Sequence, residues 1–283
     1  MLPGFTNEEK ITLYGISGGI PEYLSRIDNN LSLAKNIEEL FFNPSGRLFE
    51  EPSNLLKQEL KIPQTYNGII AAIASGSSRL NEIAAKVGIE TSQCSNMLAA
   101  LAGLGIIKKE CPVTNPGSKK TIYLLADMMF RFWYRFVQPD LSRISMGLGK
   151  EVCKEIFSGK IETHTGYVFE ECAKQFLVQE LSRKKFHFKS LGRWWGSNPA
   201  EHREEEIDLL AFDENNAIFG ECKWRNTRTG LDTLDELVRR SELLPRFTNK
   251  QYILFSKSGF TAGIKNMAAK RKDLFLIHLE DMF

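Results

Sequence analysis

Glu206-Ile-Asp-Leu-Leu-Ala-Phe-Asp-Glu-Asn-Asn-Ala-Ile-Phe-Gly-Glu-Cys-Lys-Trp224 is the stretch on which the fold turns. Two apolar runs, Ile207 to Phe212 and Ile218 to Trp224, flank the turn-forming cluster Asp213-Glu-Asn-Asn216 and so predict a β-hairpin. If the turn closes with Phe212 opposite Ala217, Asp208 faces Glu221 across the ladder and Lys223 faces Glu206. Directly opposed residues bring their Cβ atoms to about 4.5–5.5 Å, where like charges destabilise a sheet. A divalent cation would offset that repulsion, because Mg²⁺ takes one or two carboxylates together with waters and phosphate oxygens. Lys223 shares a strand face with Glu221, so its ammonium could reach a metal-bound water or a scissile phosphate. The same residues also read as a plain Lys223–Glu206 ion pair beside a solvated acidic run, Glu204-Glu-Glu206.

Around this hairpin the pattern is mixed α/β. A helix is expected over Gly166 to Leu181, with Phe169, Cys172, Ala173, Phe176 and Leu177 on its apolar side, and another over Leu231 to Leu244. Further strands are expected at Phe186 to Gly192, Gln251 to Ser256 and Leu274 to Leu279, with a helix from Thr261 to Lys270. Upstream, Tyr66–Ala74, Arg79–Val87 and Ser92–Leu104 read as three short helices, and Ile106–Glu110 with Thr121–Leu125 as a hairpin around the loop Pro112 to Gly117. Three helices and a two-stranded wing make a winged helix-turn-helix. Before it lie a Gly/Pro-punctuated segment and a helical pattern from Pro21 through Phe42. The expected organisation is therefore a helical segment (1–60), a winged helix-turn-helix (61–126), a helical connector (127–165) and an α/β domain (166–283).

Composition is that of an ordinary globular chain: 283 residues, 42% apolar and 25% charged, enough for more than one core. With 37 Lys and Arg against 35 Asp and Glu, the net charge of +2 neither requires nor excludes nucleic acid, so charge has to be read locally. Five widely spaced cysteines without a CxxC pair argue against a disulfide framework and a structural zinc site, and suit a reducing cytoplasm. The N-terminal residues lack the pattern of a signal peptide, and the most apolar run, Tyr123 to Val137, is interrupted by Asp127, Arg131 and Arg135. The expectation is a cytoplasmic protein without membrane contact.

Asp208, followed by Glu221-Cys-Lys223 and preceded by Glu170 on a helix, resembles the PD-(D/E)xK nuclease fold, in which an Asp on one strand meets an ExK on the next. Gly166-Tyr-Val-Phe-Glu170, Gly192-Arg-Trp-Trp195, Glu206-Ile-Asp208 and Gly220-Glu-Cys-Lys-Trp224 together look like a C-terminal domain of unknown function attached to archaeal-type ATPases of the AAA/STAND kind. Tyr14-Gly-Ile-Ser-Gly-Gly-Ile-Pro-Glu-Tyr-Leu24 is similar to the lid of those ATPases, and Phe130-Arg-Phe-Trp-Tyr-Arg-Phe136 to their connector. No GxxxxGK[ST] phosphate loop occurs, so no ATP site is expected and an ATPase domain or subunit becomes an expected partner. The resemblance implies a restriction-endonuclease-like α/β domain in which Asp208, Glu221 and the Cys222 carbonyl hold Mg²⁺. Lys223 would polarise the attacking water, and Glu170, favoured over Glu171 by the Phe169-Glu170 match, would complete the site. A degenerate, non-catalytic scaffold that couples an ATPase to DNA or a protein is the alternative.

DNA is the other expected partner. Ser92, Gln93, Ser95 and Asn96 form the polar face of the second helix of the helix-turn-helix, and Lys108, Lys109, Lys119 and Lys120 would meet phosphates. That helix carries neither Arg nor Lys, so it has no bidentate donor for guanine. His164, His187, His202 and His278 fall at no metal-ligand spacing. Trp194 and Trp195 point to opposite faces if they lie on a strand, so at least one belongs to a core. Arg131 and Arg135, one helical turn apart, suit either a phosphate or neighbouring acids.

Overall fold

A capping box opens the first helix, α1 (Asn7–Ser17): the Thr6 hydroxyl accepts the Glu9 N–H at 3.2 Å while the Glu9 carboxylate accepts the Thr6 N–H at 2.9 Å. The computed structural model describes residues 2–118, 120–182 and 186–283, without the side chains of 181 and 182. Lys119 therefore lies outside the described residues. The helical pattern expected from Pro21 through Phe42 is split into α2 (Pro21–Leu24) and α3 (Leu33–Phe41). The split has a local cause: Ser32 caps α3 by accepting the Lys35 N–H, and the Asn36 amide donates to the Asp28, Leu31 and Ser32 carbonyls, fixing the intervening loop. Helix α4 (Glu51–Glu59) follows.

The chain continues through α5 (Pro63–Ala74), α6 (Leu80–Val87), α7 (Thr91–Gly103), β1 (Ile107–Glu110) and β2 (Ile122–Leu125), the two strands pairing antiparallel with Ile107 opposite Leu125. Gly88, at φ +74°, ends α6 in the left-handed conformation that a residue without Cβ adopts at little cost. After α8 (Met128–Phe132), π-helical turns at Trp133–Val137, Ile144–Leu148 and Ile156–Lys160 alternate with α9 (Leu141–Arg143) and α10 (Gly149–Glu155) before α11 (Ile161–Ser182). Ile37, Leu56, Ile83, Leu98, Phe132 and Val152 belong to one hydrophobic core, so the helices before α11 share a single interior. Helix α10 approaches the end of α3 so closely that a Cβ on Gly149 would fall 1.7 Å from the Phe42 carbonyl oxygen.

Two compact units divide the chain, Met1–Glu110 with Thr121–His164 and Cys111–Lys120 with Thr165–Phe283. The second unit is built on a five-stranded mixed sheet: β3 (Ser190–Asn198), β4 (Arg203–Phe212), β5 (Asn216–Lys223), β6 (Asn249–Ser256) and β7 (Leu274–His278), in that spatial order. The first three strands are antiparallel and the last three parallel. Helix α12 (Leu231–Ser241) connects β5 to β6, and α13 (Ala262–Ala268) connects β6 to β7. Leu254 faces the core formed with Leu234, Leu237 and Ile264 of these helices, whereas its neighbour Phe255 meets Phe176 of α11 edge-on, so α11 covers the opposite face. The third strand begins later than the sequence pattern suggests, at Ser190 instead of Phe186, and runs on through Asn198. Trp194 is in the core and Trp195 is half-buried. Among the described residues, no helix is long and apolar enough to cross a membrane.

Candidate active site

The β4–β5 hairpin closes as its sequence requires: Asp213 and Asn216 bond across the turn, and Phe212 pairs with Ala217. Pairing stops at Leu209 and Gly220, one residue short of Asp208 and Glu221. The cause lies on the other edge of β4. Gly192 pairs with Leu210 and Trp194 with Ile207, so one residue of β3 opposes two of β4, Asp208 and Leu209. Such a bulge re-aims side chains and bends the strand. It brings the Asp208 carboxylate to the backbone of β5, where Oδ2 accepts the Cys222 N–H at 2.8 Å in place of a ladder bond. It also removes the expected cross-strand pair of Lys223 with Glu206: Glu206 lies opposite Trp195 and is ion-paired with Arg193, while Lys223 donates to Glu221 Oε1 at 2.6 Å.

Glu221, 4% exposed, lies on the strand face of Phe219, which packs toward α12. There Arg240 donates to both of its carboxylate oxygens at 3.3 and 3.1 Å. The same guanidinium reaches Glu205 at 3.2 Å and Glu236 at 2.6 Å. Glu205, also 4% exposed, is further held by Arg239 at 2.7 Å and Arg203 at 3.0 Å, which hold its carboxyl down to about 2. Arg240, Arg239 and Glu205 were not legible as site residues, since they approach through the fold from distant positions. A pair of arginines ending a helix has the look of a solvated C-terminus.

Glu170 projects from α11, where its neighbour Phe169 packs on Trp224 with ring centroids 5.2 Å apart and so ties the helix to the end of β5. Burial, with the Asp208 charge next, pushes the Glu170 carboxyl up to about 8. Burial, with the Glu221 charge next, pushes Asp208 up to about 7 despite the Cys222 N–H and Lys223. The Cys222 thiol is raised well above its ordinary value, first by burial and then by Asp208 and Glu170, so it stays protonated. Glu170, Asp208, Glu221, Cys222 and Lys223 thus form one electrostatically linked cluster, in which Arg193 acts on Glu170 and Lys223 on Asp208 without offsetting the effect of burial. Among the described residues, no group of three or more His, Cys, Asp or Glu side chains converges as a preformed cation cage.

The residues expected to touch DNA lie apart from this cluster in the chain. Ser92, Gln93 and Asn96 are exposed and Ser95 half-buried on α7, whose other side buries Cys94, Met97, Leu98 and Leu101. Lys108 and Lys109 are on β1. Lys120 belongs to the second unit, where its ammonium bonds Ser197 and Glu204, each at 3.3 Å. His164 is fully buried, its Nε2 donating to the Gly15 carbonyl at 2.8 Å.

Residues 133–234 match the DUF234 family model, described as archaeal and bacterial proteins of unknown function. The segment so defined begins in the π-helical turn after α8 and ends within α12, thereby including Glu170, Asp208, Glu221 and Lys223. An uncharacterized protein of Methanocaldococcus jannaschii is 31% identical over 281 residues; the match spans 97% of this chain and 60% of that relative's length. Among solved structures, a Vibrio cholerae protein aligns at 15% identity and TM-score 0.27, covering 85% of this chain and 55% of its own. An O-methyltransferase of neocarzinostatin biosynthesis, solved with S-adenosyl-L-homocysteine, aligns at 10% identity and TM-score 0.19, covering 81% and 69%. Neither alignment is close enough to bear on the fold.

Proposed function

We propose that this chain is a DNA-associated module whose second unit is a PD-(D/E)xK-type, Mg²⁺-dependent phosphodiesterase, with α5 to β2 serving as a winged helix for DNA. Residues 1–60 would be an ATPase-lid-like segment of AAA/STAND ancestry. The observation that carries the reading is the bulge in β4, which sets the Asp208 carboxylate against the β5 backbone at Cys222, within electrostatic reach of Glu170 and of the Glu221–Lys223 pair. The donor set fits the ion: two linked carboxylates are the protein's usual share of a Mg²⁺ shell, and one of them, Asp208, has its carboxyl raised by burial and by the Glu221 charge. Asp208, Glu221 and the Cys222 carbonyl would hold the metal, which would supply charge neutralisation at the phosphate and acidify a bound water. Lys223, steadied by Glu221, would direct its ammonium at the attacking water or the phosphate oxygens. Glu170, raised to about 8, exchanges a proton readily near neutral pH and would take part in moving the water's proton.

A plasmid-nicking assay with Mg²⁺ and Mn²⁺ tests this. Wild type should nick, Asp208→Asn and Lys223→Ala should lose about 100-fold or more, and the variants should remain folded. Equal nicking by wild type and Asp208→Asn would refute the assignment. One observation favours a second reading, a non-catalytic module that couples an ATPase domain to DNA or a protein: Glu221 is already engaged by both Arg240 and Lys223. No metal binding by wild type in titration calorimetry, together with capture of a phosphate-loop ATPase encoded beside it, would select that reading.

A further inference from the structure

A cavity of about 350 Å³ lies in the first unit, remote in sequence from the carboxylate cluster, lined among others by Ile73, Ser75, Tyr123, Leu125, Arg131 and Arg135. No Asp or Glu is among its lining residues. Arg131 and Arg135 stand one helical turn apart where α8 passes into the π-helical turn, so both guanidiniums project to the same side. Arg135 is half-buried; its contact is the Phe136 ring, 5.5 Å from the guanidinium, and among the described residues it has neither an ion pair nor a hydrogen bond. Burial lowers its affinity for the proton with no carboxylate acting in the other direction. At the rim, Lys86 donates to the Ser75 hydroxyl at 2.6 Å and adds a third cation. A half-buried guanidinium without an acidic partner, inside a cavity, is a group whose counter-charge is supplied from outside.

We propose that this cavity binds a small phosphate monoester, its dianion gripped by Arg135 and Arg131 and its apolar portion seated against Tyr123, Leu124 and Leu125. Three features select this chemistry. A planar guanidinium fork matches two oxygens of a phosphate, and two forks side by side suit a doubly charged head better than a single carboxylate. The volume is at the lower end of small-molecule sites and leaves room for an organic group beyond the phosphate. The remaining lining, Ile73, Ala74 and Leu124 with the Tyr123 ring, is apolar or aromatic and suits a planar group.

The test is calorimetric titration of the full chain with AMP as the probe, beside adenosine and inorganic phosphate. The expected result is saturable, one-to-one binding of AMP, with adenosine and phosphate each about ten-fold weaker or worse. Arg135→Gln should weaken AMP about ten-fold or more, and Arg135→Lys, which keeps the charge but loses the fork, should weaken it by a smaller factor. Asp208→Asn should bind AMP as wild type does, separating this cavity from the carboxylate cluster. The proposal is overturned if AMP fails to saturate at millimolar concentration, if phosphate alone binds as tightly, or if both Arg135 variants, shown folded by circular dichroism, bind undiminished. Loss of AMP binding in Asp208→Asn would likewise overturn it by moving the ligand to the other site.

Discussion

Removing divalent metal and raising the pH should destabilise the second unit, and the effect can be worked out from Glu170 and Asp208. Both carboxyls are raised, from 4.5 to about 8 and from 3.8 to about 7, chiefly by burial and next by a neighbouring carboxylate. Between its ordinary and its folded value, each group binds more proton in the folded state than in the unfolded state, so stability falls as pH rises through that window. The loss is about 1.4 kcal/mol per pH unit per group, and because the two acids interact, the pair should cost about 3 kcal/mol between pH 6 and 8, not the sum of two independent groups. A cation bound by Asp208 replaces proton held by the pair, so Mg²⁺ binding near pH 7 should release about one proton. Urea unfolding at pH 6, 7 and 8 in EDTA and in Mg²⁺, followed by tryptophan fluorescence, measures the slope. Calorimetry in two buffers of different ionisation enthalpy counts the proton. Superimposed EDTA and Mg²⁺ curves with no proton released, or an unchanged slope in Asp208→Asn, would refute the reasoning.

Two other outcomes follow from the first unit. His164 is held to about 3 by burial first, so it stays neutral when folded but takes a proton when unfolded below pH 6.5. Stability is therefore full above pH 6.5 and falls toward pH 3, with a loss of about 3 kcal/mol by pH 4; acid titration of wild type against His164→Gln should show a shallower slope in the variant. Gly149→Ala would drive a Cβ into the Phe42 carbonyl oxygen, forcing α10 away from α3, and should cost about 2 kcal/mol or more in urea unfolding, whereas an Ala at exposed Gly103, with open space around its Cβ position, should not destabilise.

Much of this arrangement was legible because it is local. The Asp213-Glu-Asn-Asn216 turn pins the hairpin register, and period-two burial then fixes which side chains of β5 share a face. The breaks at Gly88 and Gly105 delimit α6 and the start of β1 for the same local reason. The bulge at Asp208 and Leu209 left no such mark, because it depends on which β3 residue is paired, and β3 itself starts at Ser190 beyond the apolar residues that suggested it. That single extra residue is what separates the expected Lys223–Glu206 pair from the observed Lys223–Glu221 bond. Arg240 was hidden for another reason: it reaches Glu221 only because α12 lies across the sheet face that Phe219 and Glu221 share. Nor does the aromatic run at Phe130 to Phe136 signal its own change from α to π turns, since its buried rings satisfy either spacing.

The charge distribution across the cluster bears on which functional reading is stronger. Arg240 and Lys223 both bond Glu221 and Arg193 is ion-paired with Glu206, while Lys223 also acts on Asp208 and Arg193 on Glu170 through space. Asp208 receives the Cys222 N–H and still has its carboxyl raised, as does Glu170. If the cluster were only a structural ion-pair network, each buried acid would be expected to have its own cation, as Glu205 does with three arginines and a carboxyl held near 2. The contrast matters: three arginines hold the Glu205 carboxyl down, whereas the carboxyls of Asp208 and Glu170 stay raised although Lys223 acts on the one and Arg193 on the other. Because an acid that must be neutralised from outside destabilises the fold unless its ligand is present, the raised carboxyl of Asp208 argues for a ligand-binding role over a purely structural one.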